Sequence, residues 1–365
     1  MSEATGEAGG ETLAFSEDMD LRSFLGLSLK NGLLNIVTLT LYRFWGRTEV
    51  RRRVWSAVQL NGEAFEYTGR GVELFVGFLI ALATVGLPFL LVVFGVQFLG
   101  PAAAVLIVLP LYLVMFALFG AAIFLAFRYM ASRTVWRGVR FQLRGLARDY
   151  GAAYLGYVML TGFTFYWFYP AMQMRLAEKL WGQLSFGDLR LRWVPRASDG
   201  IYGPFAIGWV GAVIGYFVFI AGVAMAALGS GALPDPDGAK PGGASLEMMA
   251  MVYAGALAYG LFLMVVFAPF QAAMLRAIVG SLRIGEARFS LQLRTLDLLG
   301  LVLSNIVLLA VTLGFLSPWV QARTARFMIR RLKAEGVAPL ADVRQARKGP
   351  GSGEGLADAF GFSPI

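Results

Sequence analysis

The chain has 365 residues, of which 58% are hydrophobic and 15% are charged. A soluble globular domain has about 25% charged residues, so this composition excludes an ordinary soluble domain. The sequence contains no cysteine and no histidine, which excludes disulfides, thiol chemistry and the usual zinc sites. The commonest general base is therefore missing, and we expect no enzymatic activity, no cofactor and no metal.

The net charge of +9 would suggest a nucleic acid as the partner of a soluble protein. In a membrane protein, arginines collect in cytoplasmic loops according to the positive-inside rule. We therefore expect membrane lipids with anionic headgroups as partners, and no nucleic acid.

Long apolar runs predict transmembrane helices. Residues 74–127 contain no Asp, Glu, Lys or Arg, and they can cross a bilayer twice because one helix needs roughly 20 residues. Strands of a barrel would alternate apolar and polar residues, so continuous apolar runs are helical. The predicted fold is an all-α, polytopic helical membrane protein with about seven hydrophobic segments and internal repeats.

The segments alternate with charged loops. The acidic tail, residues 1–19, is expected to be disordered. The seven segments cover residues 24–44, 74–99, 102–127, 150–170, 205–228, 248–270 and 298–317. We divide the chain into a first repeat (20–149), a second repeat (150–297), a partial third repeat (298–335) and a disordered tail (336–365).

Ungapped sequence matches suggest the repeat. At an offset of 148, Arg128, Arg140, Phe141, Thr164, Pro170, Gln173 and Arg175 match Arg276, Arg288, Phe289, Thr312, Pro318, Gln321 and Arg323. At an offset of 274, Phe15, Asn31, Thr38, Leu39, Trp45 and Arg52 match Phe289, Asn305, Thr312, Leu313, Trp319 and Arg326. The proposed unit is one segment that contains polar residues followed by two purely apolar segments.

Two topologies are consistent with the segments. If all seven span, the acidic loop 229–247 lies inside and the basic loop 271–297 lies outside, against the positive-inside rule. The charges fit better if segments 2, 3, 5 and 6 span while segments 1, 4 and 7 enter and leave on the cytoplasmic side. Segments 4 and 7 are nevertheless long enough to span, so both topologies stay open.

Arginines follow segments 1 and 7 closely. Such clusters are general in membrane proteins, where they set orientation and depth. The alternative is a site for anionic headgroups, since guanidinium groups suit phosphate and Arg47 and Arg51 share one helix face. The candidate headgroup contacts are Arg43, Arg47, Arg51, Arg52, Arg53, Arg323, Arg326 and Arg330.

Polar residues also lie inside the apolar segments: Asn31, Asn35, Thr38, Thr164, Asn305 and Thr312. Such groups usually form hydrogen bonds to neighbouring helices. Alternatively, they line a polar path through the membrane. Segments 2, 3, 5 and 6 have no charged residue near mid-bilayer, which counts against ion- or proton-coupled transport.

One group of residues stands at the end of segment 1 and in the stretch that follows it: Thr38-Leu39, Tyr42-Arg43-Phe44-Trp45, Arg47, Arg51-Arg52, Trp55, Gly62, Phe65, Tyr67-Thr68-Gly69-Arg70-Gly71 and Glu73-Leu74-Phe75. These residues give the chain a resemblance to the bacterial YjgN-like family of inner-membrane proteins, a family of unknown function. The resemblance implies a multi-pass inner-membrane protein and supplies no catalytic residue. We expect a transporter or channel-like protein in which segments 1, 4 and 7 form a central polar element. The alternative is a non-catalytic membrane module that binds anionic lipid or a protein partner through its basic loops.

Overall fold

The structure is a computed structural model that describes residues 10–195, 199–229, 246–340 and 343–344. Helices dominate it. They are α1 (Leu21–Val37), α2 (Arg43–Ala57), α3 (Gly71–Ala81), α4 (Leu87–Val96), α5 (Pro101–Arg133), α6 (Ala147–Phe163), α7 (Tyr169–Trp181), α8 (Asp199–Gly229), α9 (Leu246–Gly280), α10 (Thr295–Val311) and α11 (Ser317–Arg331).

Short strands connect the helices, so the expectation of a purely α-helical fold is wrong in this respect. The strands are β1 (Glu11–Thr12), β2 (Phe15–Glu17), β3 (Val58–Leu60), β4 (Glu63–Ala64), β5 (Glu66–Tyr67), β6 (Thr134–Trp136), β7 (Val139–Leu143), β8 (Leu184–Phe186), β9 (Leu189–Arg190), β10 (Arg192–Trp193), β11 (Leu282–Ile284), β12 (Ala287–Leu291), β13 (Leu332–Glu335) and β14 (Val337–Ala338). Antiparallel pairing joins them into the sheets β1-β14, β2-β3-β4, β5-β6-β7-β8-β9 and β10-β11-β12-β13.

Four helical stretches of the described chain are long and apolar enough to cross a membrane: Gly71–Val96, Ala104–Arg133, Gly200–Gly229 and Leu246–Gly280. They correspond to segments 2, 3, 5 and 6. The first combines α3 and α4 through a π-helical turn at Leu82–Gly86. Pro88 follows this turn and has no N–H to continue the helical hydrogen bonds, which accounts for the local change in helix type.

Segments 1, 4 and 7 form shorter helices, so seven spanning segments are not confirmed. The helices α1, α6 and α10 have 17 residues each, and 17 residues extend about 26 Å. Each is followed by a tight turn and a second helix that runs back. We name these pairs hairpin 1 (α1–α2), hairpin 2 (α6–α7) and hairpin 3 (α10–α11).

The strands before and after each hairpin pair with each other. Hairpin 1 lies between the paired strands β2 and β3, hairpin 2 between β7 and β8, and hairpin 3 between β12 and β13. Each hairpin therefore begins and ends at one sheet. The pair α3–α4 and α5 likewise lies between the paired strands β5 and β6, and β10 pairs with β11, the strands that precede α8 and follow α9.

The chain forms two compact units, one of residues 1–195, 278–292 and 303–365 and one of residues 196–277 and 293–302. In the first unit, aromatic and aliphatic side chains from the strands and helices form the core, which includes Phe124, Trp136, Tyr150 and Phe186. Here α5 is buried from Gly120 towards its C-terminal end, whereas residues 104–119 are almost entirely outside the core. About 30 Å, the thickness of a bilayer core, needs roughly 20 residues. The distal part of α5, outside the core, is therefore close to the length needed for one crossing.

The second unit has the same gradient along its own helices. Ile201 and Phe205 near the start of α8 are buried, and so are Ala268, Phe270 and most of the residues that follow to Met274 in α9. The distal parts of both helices expose apolar side chains. Their exposed parts are again long enough for one crossing each.

The tails differ from the expectation of disorder. Residues 11–12 and 15–17 form β1 and β2, and residues 337–338 form β14, which pairs with β1. The prediction of disorder is therefore wrong for these segments. Residues 1–9 and 345–365 lie outside the described residues.

Candidate membrane interface

The threonine at the end of the first helix closes the turn of each hairpin. Its hydroxyl donates to a carbonyl four residues back, at 2.6 to 2.8 Å, and accepts from an N–H four residues ahead, at 2.9 to 3.4 Å. The partners are Leu34 and Tyr42 for Thr38, Leu160 and Phe168 for Thr164, and Leu308 and Leu316 for Thr312. These threonines thus bond within their own turns, a role that the sequence interpretation did not consider.

Two residues with positive φ follow each threonine. They are Leu39 and Thr40, Phe165 and Tyr166, and Leu313 and Gly314, with φ between 48° and 81°. Only Gly314 adopts this conformation without a steric cost, and other residues pay about 1–2 kcal/mol. The second residue of each pair donates its N–H to a carbonyl five residues back, at 2.6 to 2.8 Å. This bond is the helix-ending pattern of the Schellman motif, and it holds the strained turn.

The tips of the hairpins expose large apolar side chains. Leu39 is 84% exposed, Phe165 is 78% exposed and Leu313 is 87% exposed. The neighbouring residues Val37, Ile36, Phe163, Tyr166, Trp167, Val307 and Val311 are exposed as well. Contiguous exposed apolar surface marks a contact with a membrane or with another protein.

The tip of hairpin 1 lies where α3 leaves the core. The Arg43 guanidinium is 5.1 Å from the centre of the Phe78 ring, and the Phe44 and Phe78 rings are 5.3 Å apart. Beyond Phe78 the apolar residues of α3 and α4 are not buried. The tip of hairpin 1 therefore lies beside the point at which α3 leaves the core.

Hairpin 2 extends farther along α5 than hairpin 1 does along α3. The Tyr154 ring is 5.6 Å from that of Phe119, the residue after which α5 becomes buried. A Cβ on Gly120 would collide with Tyr154, and a Cβ on Gly151 would collide with the Ala117 carbonyl. The remaining nine residues of α6 extend about 13 Å beyond Tyr154, which places the tip beside the part of α5 that lies outside the core.

Arg51 does not lie on a lipid-accessible surface. Its side chain is 1% exposed and donates to the Tyr67 hydroxyl at 3.3 Å. The prediction that it contacts a headgroup is therefore wrong, because α2 turns this position towards β5. Arg43 and Arg47 are half-buried near the tip, and Arg52 and Arg53 are exposed farther along α2. Arg52 donates to the Gly69 carbonyl at 3.4 Å and Arg53 to the Ser23 carbonyl at 3.0 Å.

The arginines of hairpin 3 have protein partners. Arg323 donates to Ser304 Oγ and to Asn305 Oδ1, both at 2.9 Å, and the Asn305 amide donates to Thr324 at 3.2 Å. Asn305 thus joins α10 to α11, as expected for a polar group between membrane helices.

Arg326 and Arg330 both bond to Glu17 of β2, at 3.0 and 2.6 Å. Burial raises the pKa of Glu17, but the hydrogen bonds from Arg330 and Arg326 outweigh it, so that the net pKa is lowered. These two arginines tie α11 to the N-terminal strand, 309 and 313 positions away in the chain.

Asn31 and Asn35 lie one turn apart in hairpin 1. Asn31 is buried against Gly46 of α2. A Cβ added at Gly46 would lie 3.2 Å from the Asn31 amide nitrogen. The side-chain oxygens of both residues are buried without a hydrogen-bond partner. Beside them, Lys30 and Glu49 form an ion pair of 2.6 Å between α1 and α2.

Residues 12–359 match the family described as bacterial protein of unknown function (DUF898). The chain belongs to this family. The YjgN-like family is the same one, so the resemblance seen in the sequence is confirmed. No curated protein matches the chain, and no solved structure does.

Two of the residues that carry the resemblance to the DUF898 family, Tyr67 and Glu73, lie at the start of the first long helix pair. Glu73, in the first turn of α3, accepts from the Tyr129 hydroxyl at 3.0 Å and from Arg133 at 3.1 Å. Tyr67, on the strand before α3, bonds to Arg51. The contact of Glu73 with Tyr129 gives no signal in the sequence, because α5 approaches α3 only in the tertiary structure.

A second cluster that the sequence did not indicate joins the strand loops. Arg137 bonds to Glu11 at 2.8 Å and to Glu63 at 2.9 Å. The hydrogen bond from Arg137 lowers the pKa of Glu11. Arg137 and Gly138 have φ of 49° and 73°, the values of a two-residue hairpin turn, so the Arg-Gly pair is the local signal that could have identified this hairpin.

Proposed function

We propose that this protein is a non-catalytic module of the bacterial inner membrane that contacts lipid of the cytoplasmic leaflet through the tips of its three hairpins. The pairing of the strands on either side of each hairpin carries the proposal, because a hairpin that returns to its own sheet re-enters the side from which it left. Exposed apolar tips then face the lipid from that side. Interfacial helices insert about 5–10 Å into the boundary between headgroups and acyl chains.

The positions of the hairpin tips along the neighbouring helices α3 and α5 support a contact with the lipid surface. The tip of hairpin 1 is level with Phe78, and hairpin 2 extends past Phe119; these two residues mark the start of the lipid-facing parts of α3 and α5. The positive-inside rule assigns the arginine-bearing strand side to the cytoplasm.

The recurrence of the hairpins supports the proposed internal repeat. The first positive-φ residue of hairpin 2, Phe165, precedes Leu313 of hairpin 3 by 148 positions, and Leu39 of hairpin 1 precedes it by 274. These are the offsets of the sequence matches. The first helix has the same length, and the threonine the same bonds, in all three hairpins.

Arg43 and Arg47 are the arginines that we assign to anionic headgroups. They occupy the first turns of α2, next to the tip of hairpin 1. Arg52 and Arg53 lie nine and ten residues beyond Arg43, about 14 Å along the helix. That distance exceeds the Debye length of about 8 Å at physiological salt, so these two arginines contribute little at the membrane surface.

The topology is tested with single cysteines, since the chain has none of its own. Ser23, near the start of α1, and Ser56, near the end of α2, are exposed, and Gly100 lies in the distal turn between α4 and α5. With a membrane-impermeant maleimide, intact cells should label Gly100→Cys but neither Ser23→Cys nor Ser56→Cys. Inverted vesicles should label both serine positions. Labelling of Ser23→Cys and Ser56→Cys from opposite sides would refute the proposal.

The lipid contact is tested with two matched double variants in nanodiscs of mixed anionic and zwitterionic lipid. Each arginine near an anionic surface contributes about 1 kcal/mol, close to a fivefold preference. We expect R43Q/R47Q to lose most of the enrichment of anionic lipid around the protein, measured by native mass spectrometry, whereas R52Q/R53Q retains it. Equal losses in both variants would show that only net charge matters.

Transport is a second candidate function, which the buried side-chain oxygens of Asn31 and Asn35 favour. Unpartnered polar atoms among membrane helices are costly and often belong to a polar path. In the transport proposal, hairpin 1 supplies that path. Solute flux in proteoliposomes that falls in Asn31→Leu would support it, and an absence of flux across broad solute panels would remove it.

A further inference from the structure

The helices α8 and α9 of the second unit are in close contact near their buried ends. On α8, a Cβ on Gly208 would lie 2.9 Å from the Phe267 ring, one on Gly211 would lie 2.7 Å from the Val266 side chain, and one on Gly215 would lie 2.7 Å from the Phe262 ring. Glycine is required at these positions because the α9 side chains occupy the space. This packing resembles the small-residue contacts between helices in membranes.

Farther along, α8 and α9 leave an open space beside their contact. A Cβ on Gly222 would meet nothing within 4 Å, and a cavity of about 580 Å³ lies between the stretches 214–226 and 251–262. Phe219 and Tyr259 form one wall with stacked rings 5.8 Å apart, and the Tyr259 hydroxyl is occupied by a hydrogen bond of 2.9 Å to the Ala212 carbonyl. No charged side chain lines the cavity. It is an apolar groove.

The dimensions of the groove decide what fits it. Residues 214–226 extend about 18 Å along α8, so a volume of about 580 Å³ corresponds to a mean width of about 6 Å over the 18 Å that α8 provides. A helix with its side chains is about 10–12 Å wide and does not enter. A single hydrocarbon chain, whose carbons approach the wall carbons at about 3.5–4 Å, does.

We propose that the groove between α8 and α9 is a binding site for one acyl chain of a membrane lipid. The acyl chain lies against the Phe219 and Tyr259 rings and over Gly222, where the absence of a side chain makes room. This site is separate from the hairpins. Its occupancy does not depend on Arg43 or Arg47.

The test uses a phospholipid that carries a photoreactive diazirine in one acyl chain, added in trace amounts to nanodiscs that contain the full chain. After irradiation, peptide mass spectrometry locates the labelled residues. We expect labelling to be concentrated on groove residues such as Val218, Val223 and Met251. Gly222→Leu and Ala226→Leu fill the groove and should each reduce this labelling at least fivefold. Ala224→Leu, on the exposed opposite face of α8, is the matched control and should leave it unchanged.

Two results would overturn the proposal. Labelling spread evenly over the exposed faces of α8 and α9, or unchanged labelling in both groove variants, would mean that lipid only surrounds the helices. Efficient disulfide formation between two copies of Gly222→Cys would mean that a second copy of the protein occupies the groove. Size-exclusion profiles of the leucine variants establish that each one folds.

Discussion

Glu17 is expected to hold the N-terminal strand β2 on α11, and replacing it with glutamine tests this. Its side chain is 5% exposed and accepts hydrogen bonds from Arg326, Arg330 and the Met19 N–H, at 3.0, 2.6 and 2.9 Å. Glu17→Gln keeps the size of the side chain but removes its charge. The two guanidinium groups then lose their ionic partner.

The size of the effect follows from burial. A hydrogen bond to a charged group contributes about 1.5–3 kcal/mol. The Arg326 and Arg330 side chains, however, are 32% and 56% exposed, so water and salt reduce the loss on their side. We therefore expect Glu17→Gln to lower the free energy of unfolding of the first unit by about 2 kcal/mol. This loss corresponds to a fall in melting temperature of about 4–8 °C for a unit of this size.

The pH dependence gives the same test a second readout. Because the pKa of Glu17 is lowered in the folded state, its stabilisation is complete above the ordinary value of 4.5 and is lost as pH falls through the folded pKa. The difference between the wild type and Glu17→Gln should thus be largest near pH 7 and shrink below about pH 4.5.

Thermal unfolding in detergent at pH 7 and at pH 4 measures both effects. Asp18→Asn is the control, since Asp18 is exposed beside Glu17 and loses the same charge. Equal melting temperatures of Glu17→Gln and the wild type at pH 7 would refute the role assigned to Glu17. So would a difference that grows on acidification.

Three further substitutions test the packing. Gly151→Val should destabilise the contact of α6 with α5 by about 1–3 kcal/mol, the cost of overpacking. The reason is that a Cβ at position 151 collides with the Ala117 carbonyl. Thermal unfolding measures the loss, with Gly156→Val, at an exposed position of α6, as the control. Thr164→Val removes both hydroxyl bonds of the turn and should cost about 1–2 kcal/mol, with increased proteolysis at the tip of hairpin 2. Arg51→Ala removes a fully buried side chain and its bond to Tyr67, and a loss of about 3 kcal/mol is expected; a loss below 1 kcal/mol would mean that Arg51 is not part of the core.

The apolar segments show what local composition can predict. Segments 2, 3, 5 and 6 correspond to the four helical stretches long enough to cross a membrane, because hydropathy depends on the residues of the segment alone. The part of each helix that stays outside the core was not predictable. Gly120 to Phe127 of α5 are apolar in sequence whether they face lipid or the protein core, and only the contact with α6 distinguishes the two environments.

The polar residues within the segments show a different limit. Thr38, Thr164 and Thr312 stand out in the sequence as polar residues within apolar segments, yet their role in the turns depends on the positive-φ residues that follow. Leu39 and Phe165 give no signal for such a turn, because large side chains rarely adopt it. The arginines from Arg43 to Arg53 likewise form a cluster in the sequence. In the structure, however, helix α2 turns Arg51 towards the core and leaves Arg52 exposed.

The sequence by itself determined that the chain is mostly helical, which of its segments are apolar enough to cross a membrane and which family it belongs to, since these follow from residues close together in the chain. The tertiary structure decided that segments 1, 4 and 7 form hairpins. The pairing of β2 with β3, β7 with β8 and β12 with β13 joins residues about 40 positions apart. Such pairing depends on backbone hydrogen bonds between distant strands of only a few residues, and these carry no hydrophobic period that a sequence reading could detect.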